Sequence, residues 1–158
     1  MIADTDFSSF FVRGLKSVFK EYAIELDSQP EAKLHDNKYI ETSGVDILIY
    51  LFEEIEGFCV LSFAVDVATN ITRSIDMDPD SVDDQITREA MAEIGNLAAA
   101  RASAFLAKSN VKTNISPPSV FWGKGSHIYS MVPNLTRTLF HTQYGVVTLF
   151  SSVRLRKK

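Results

Sequence analysis

Glu93 and Asn96 stand three residues apart in the run Glu89-Ala-Met-Ala-Glu93-Ile-Gly-Asn96, a spacing that puts both side chains on one face of a helix. The carboxylate brings charge and acceptors. The carboxamide brings one acceptor and two donors on a planar group that does not titrate. The pair supplies no histidine, no thiol and no ready nucleophile, so it suits docking against a partner's cation and orienting a water, and is a poor hydrolytic site unaided. The plainer alternative is two solvent-facing residues on a helix. Against it stands a cost, since Asn in a helix interior is disfavoured relative to Ala by about half a kcal/mol, and this stretch is otherwise rich in Ala.

The helix that must carry the pair runs from a cap at Ser81, Asp83 or Asp84 to about Lys108, with Ile86, Ala90, Ile94, Leu97, Ala98 and Phe105 as its apolar surface. Ala98-Ala-Ala100 and Ala102 offer small side chains for close packing against another element. Phe7, Phe10, Phe11, Leu15, Val18, Phe19 and Tyr22 recur at three- and four-residue steps, which predicts an opening amphipathic helix capped by Asp4 or Asp6 and turned to the core. Val45–Phe52 and Gly57–Phe63 are β-branched and aromatic runs around Glu53-Glu54-Ile55-Glu56, a hairpin pattern. Asp66–Met77 reads as a short helix stopped before Pro79, and the polar stretch Ser28–Ser43, with Pro30, as a loop or edge segment. Strands are expected at Ser119–Trp122, Ile128–Val132, Thr136–Thr142 and Val146–Val153, with turns at Gly123-Lys-Gly125, Pro133-Asn134 and Tyr144-Gly145.

At 158 residues the chain is read as one domain, 1–158, with 46% hydrophobic and 23% charged residues, enough apolar content for a core without disulfide staples. The one cysteine, Cys59, lies in an apolar run and reads as buried and inert. A net charge of −4 argues against nucleic acid as a partner, and the basic tail Arg154-Leu-Arg-Lys-Lys158 reads as a solvated strand end. No apolar run is long enough for membrane insertion, and the start Met1-Ile-Ala-Asp-Thr-Asp lacks a cationic secretory signal, so a cytoplasmic location is expected. Asp76-Met-Asp78-Pro-Asp80 fails as a calcium loop, because Ser81 and Thr87 fall where glycine and an acidic residue are needed. Gly123-Lys-Gly125 lacks the Gly-x-x-x-x-Gly-Lys-Ser/Thr of a phosphate loop, and His35, His127 and His141 show no ligand spacing, so no metal site is expected.

Taken with Asn114-Ile-Ser-Pro-Pro-Ser-Val-Phe-Trp-Gly-Lys-Gly125, the Glu93/Asn96 helix resembles the CheC/CheX/FliY family of bacterial chemotaxis phosphatases, most closely CheX. The family pattern is Asp or Ser, then Glu four residues on, Asn three further and a proline about two dozen residues later. Here these positions hold Glu89, Glu93, Asn96 and Pro118, and Ala100 stands where such chains often have Gly. CheC carries two Glu-x-x-Asn helices; this chain has one, as CheX does.

The resemblance implies an α+β fold with long helices on an antiparallel β-sheet, and a homodimer joined through sheet edges, for which Thr136–Thr142 and Val146–Val153 are the edge-like runs. It also implies a hydrolase acting on the phospho-aspartate of a CheY-like response regulator. Asn96 would align the attacking water and Glu93 would pair with the receiver's lysine, with Glu89 and Ala100 on the same partner-binding surface. The chain would need no cofactor of its own, because Mg²⁺ belongs to the receiver. From another class, the alternative is a non-catalytic module that sequesters or scaffolds a phosphorylated receiver.

Overall fold

The computed structural model describes residues 6–29, 32–33, 39–130 and 134–157. Helix α1 (Ser8–Glu21) opens the fold, and short strands β1 (Asp27–Ser28) and β2 (Ala32–Lys33) follow. The hairpin β3 (Tyr39–Glu53) and β4 (Ile55–Phe63) leads into α2 (Val65–Ile75), a single 3-10 turn at Pro79–Ser81 and the long α3 (Asp84–Lys108). Strands β5 (Thr113–Ile115), β6 (Ser119–Tyr129), β7 (Thr136–Thr142) and β8 (Gly145–Leu155) complete it. Every described strand pairing is antiparallel, in the order β1-β7-β8-β4-β3-β5, with β2 also on β7 and β6 also on β3.

The three helices pack on one face of the sheet, as an α+β layout requires. Alternation along β3 sends Val45, Ile47, Ile49 and Leu51 into the main core with Phe11, Leu15, Val18 and Phe19 of α1 and Met91, Ile94, Ala98 and Ala102 of α3. The other face carries a smaller cluster of Ile40, Leu48, Phe58, Val60, Ile128 and Leu135. The aromatic stripe of α1 is therefore core, as its spacing predicts. Cys59 is buried and its thiol is pushed up to about 12 by desolvation, in keeping with an inert side chain. Among the described residues no helix is long and apolar enough to cross a membrane.

Capping divides cleanly. Asp83 alone of the three candidates caps α3, accepting from Ile86 N at 2.8 Å. At the start of α1 the N-cap position is Phe7, which has no side-chain cap; Asp6, one residue earlier, accepts from Ser8 N at 3.1 Å and Ser8 Oγ at 2.5 Å, while Asp4 lies outside the described residues.

Several expectations need correction. Tyr39–Ser43, read as loop or edge segment, is the first part of β3 and is bonded there to β6: Tyr39, Ile40 and Glu41 pair with Tyr129, Ile128 and His127. Polar composition hid this, because only Ile40 of those three is buried and the pairing partner lies almost ninety residues away. Gly123-Lys-Gly125 is not a turn between strands. It sits inside β6 opposite a register shift between Glu41 and Ser43, and φ values of +118° at Gly123 and +86° at Gly125 make the irregularity a glycine feature. The expected strand Ile128–Val132 is the end of β6, Met131 to Pro133 lying outside the described residues. The runs taken as edges are not edges: β8 is bonded on both sides, by β4 and β7, and β7 is covered in turn by β1 and β2. Among the described strands β1, β2, β5 and β6 have a partner on one side only.

Candidate functional site

Helix α3 advances about 100° and 1.5 Å per residue. Glu89, Glu93, Asn96 and Ala100 therefore fall within about 60° of its circumference and about 16 Å of its length. The structure leaves Glu89, Glu93 and Ala100 exposed and Asn96 half-buried, so the four residues singled out from sequence share one outward face. Glu89 accepts from Gln85 Nε2 at 2.8 Å. Among the described residues neither the Glu93 carboxylate nor the Asn96 amide has a hydrogen bond or ion pair. The neighbouring cations on α3 are directed elsewhere, with Arg101 held by Ser17 at 2.8 Å and Glu21 at 2.7 Å and Arg88 lying over the Trp122 ring at 4.5 Å.

What faces outward is free; what faces inward is tightly held. Thr87, Met91, Ile94, Gly95, Ala98, Ala99, Ala102 and Leu106 are buried. Of the apolar surface read from sequence, Ile94 and Ala98 lie fully inside, while Ile86, Ala90, Leu97 and Phe105 are half-buried. Gly95, beside Asn96, brings the helix so close to β3 that a Cβ there would stand 2.7 Å from Ile47 Cγ2. On the other flank Gly14 of α1 lies directly over the Ala98 carbonyl and Ala102. The small residues allow the close packing expected of them. A functional pair needs its supports fixed to within fractions of an ångström, and these two contacts lie within two turns of Asn96. Sequence reasoning gave Gly95 no role, although a mid-helix glycine costs about 1 kcal/mol and so already asks for a reason.

The segment following the helix borders the same face. Ser103 Oγ donates to the Thr113 carbonyl at 2.8 Å, and Arg88 meets Trp122. The two contacts fall in opposite order along α3 and the β5–β6 stretch, so Pro117-Pro118 lies in the segment between them. The turn is fastened to β3, since Ser116 N donates to the Tyr50 carbonyl and Tyr50 N to Ser116 Oγ, both at 2.9 Å.

A large hollow lies elsewhere on the molecule. About 610 Å³ in volume, it is lined by Glu53, Glu54, Asn110, Val111, Leu155, Arg156 and Lys157, at the hairpin tip and the end of β8. Neither Glu93 nor Asn96 lines it. The hollow of about 500 Å³ lined by Ala64, Val65, Asp66, Thr69, Asn70, Arg73 and Lys124 does not include them either. A carboxylate and an amide on an outward helix face suit contact with a partner that brings its own cavity.

The family of the chemotaxis phosphatase CheX matches residues 45–138, which includes the whole of α3. Among solved structures the fold is similar to that of chemotaxis protein CheX from Desulfovibrio desulfuricans, with a TM-score of 0.83 and 20% identity over 95% of this chain and 100% of that one. It is also similar to CheX from Vibrio vulnificus, with a TM-score of 0.80 and 21% identity over 95% and 97%. A third similar chain comes from the CheX-CheY-BeF3-Mg²⁺ complex of Borrelia burgdorferi, with a TM-score of 0.68 and 17% identity over 94% and 98%. No curated protein matches.

Proposed function

The chain belongs to the CheX family of chemotaxis phosphatases, and on that footing we propose that it dephosphorylates the phospho-aspartate of a CheY-like receiver domain. The observation that carries this reading is the Glu93/Asn96 pair, without a partner among the described residues, on an outward, rigidly backed helix face. A receiver supplies what that face lacks, an acidic pocket with Mg²⁺ around an energy-rich acyl phosphate, so most of the electrostatic stabilisation is already in place. The Borrelia burgdorferi structure, in which a chain of similar fold is complexed with CheY, BeF3 and Mg²⁺, supports the choice of partner.

In this mechanism α3 lies against the receiver and Asn96 enters its pocket. The carboxamide accepts from and donates to a water, aligning it opposite the leaving carboxylate. Water attacks phosphorus, the P–O bond to the aspartyl oxygen breaks, and phosphate and the free carboxylate result. Neutrality suits Asn96, since a second carboxylate would repel the phosphoryl group. Glu93 pairs with the receiver's lysine and sets the docking angle, while Glu89 and Ala100 border the contact. A homodimer remains part of the reading on family grounds, joined through an outer strand of the sheet, β1 and β2 at one end or β5 and β6 at the other, in place of Thr136–Thr142 and Val146–Val153.

The test is phosphoryl loss from a panel of phosphorylated receiver domains, with and without the protein. Accelerated loss from at least one supports the reading. Tight binding without acceleration would establish a sequestering module instead.

A further inference from the structure

We propose that Arg88, laid over Trp122, selects among receivers by demanding an acidic side chain at the rim of the partner's phosphorylation pocket; this rests on the receiver reading above. The guanidinium lies 4.5 Å from the Trp122 ring centre, and among the described residues it has no hydrogen bond or ion pair. Both side chains are half-buried, so the cation is held in place while its N–H donors lack a protein acceptor. By helix geometry Arg88 projects about 80° around α3 from Asn96, at the seam with β6, and about 12 Å before it along the axis. A standard protein contact covers about 800 Å² on each partner, a disc of roughly 16 Å radius. A receiver centred on Asn96 and extending toward the start of α3 brings its rim over Arg88 and strips water from it.

A cation desolvated without a counter-charge opposes binding, and a planar fork of donors is best met by a carboxylate. Receivers that offer an acidic residue there are favoured, and those that offer an apolar or basic one are rejected. Such discrimination acts by penalty as well as by attraction. Trp122 serves as the platform that aims Arg88, a positioning residue for the contact.

The experiment measures affinity, kept apart from hydrolysis by working in an Asn96→Ala background with receiver domains phosphorylated by acetyl phosphate. Arg88→Met, which keeps the stem over Trp122 and removes the charge, should weaken the preferred receiver about tenfold to a hundredfold. It should also narrow the spread of affinities across the panel and leave the melting temperature nearly unchanged. Arg88→Lys should restore part of the loss, and Arg88→Glu should be worst. Unchanged affinity and spread in Arg88→Met overturn the proposal. So does a loss uniform across receivers that tracks a fall in melting temperature, because Arg88 would then only fasten α3 to β6. If the parent chain binds receivers but does not hydrolyse them, the phosphatase reading fails while the Arg88 result still stands.

Discussion

Two carboxylates on adjacent elements have opposite surroundings. Glu93 on α3 is exposed and has no partner among the described residues. Asp46 on β3 is fully buried, accepts from Ser62 Oγ at 2.5 Å, Ser43 N at 3.1 Å and Gly44 N at 3.3 Å, and its carboxyl is raised by desolvation against the opposing pull of those hydrogen bonds. Asp46 ties β3 to β4 beside the irregularity in the β3–β6 ladder; its acceptors are used up within the fold. Glu93 keeps all of its acceptors for something outside the chain. The difference teaches that the charge left over for a partner is the unsatisfied one, and the satisfied one is architecture.

Asn96 gives the sharpest way to break that contrast. Asn96→Ala should lower the accelerated dephosphorylation by at least about a hundredfold, with receiver binding and melting temperature nearly unchanged, measured by single-turnover phosphoryl loss beside calorimetry. Binding lost in step with activity would turn Asn96 into a docking residue. For Glu93, Glu93→Gln should weaken the complex with the phosphorylated receiver while a saturating concentration recovers much of the turnover, and added salt should narrow the gap from the parent. Glu93→Lys should be far worse, setting two cations against each other. A Glu93→Gln protein that binds normally but turns over slowly would place the carboxylate in the chemistry itself.

Smaller effects probe the supports. Gly95→Ala gains about 1 kcal/mol of helix propensity but drives a methyl to 2.7 Å from Ile47 Cγ2, a branch atom fixed in the core. Overpacking of that kind costs about 1–3 kcal/mol, so the net change in a denaturant titration should be mildly destabilising, and a stabilised variant would show that α3 can lift from the sheet without penalty. The last effect is a matter of pH. Because the folded protein holds the Asp46 proton more tightly than the unfolded chain does, this group favours folding most below about pH 4. That contribution is lost as pH rises through the raised folded value. Asn offers one acceptor to the backbone amides and a donor to Ser62, as the protonated acid does, so Asp46→Asn should flatten this part of the stability–pH profile measured by thermal melts. An unchanged profile would remove Asp46 as its origin.

The site was legible because a helix writes its exposed face into local spacing: Glu89, Glu93, Asn96 and Ala100 share a face by helical geometry, whatever they pack against. The hairpin and the aromatic stripe of α1 were legible for the same reason, since both are short-range periodicities. The edge runs Thr136–Thr142 and Val146–Val153 misled because β-branched alternation marks a strand without saying how many neighbours it has. Arg88 on Trp122 and Gly95 on Ile47 each join residues more than thirty positions apart, a distance over which no local pattern operates.

By itself the sequence determined which residues lie together on α3, where most of the strands fall and which family the chain resembles, all of which rest on spacing within a few turns or on motif residues in a row. Only the tertiary structure decided that the Glu93/Asn96 face is left uncovered while Asp46 is buried. It also decided that Tyr39–Ser43 is strand and Gly123-Lys-Gly125 a kink within one. Burial and pairing depend on which distant segments meet, and those contacts are settled by the packing of the whole chain.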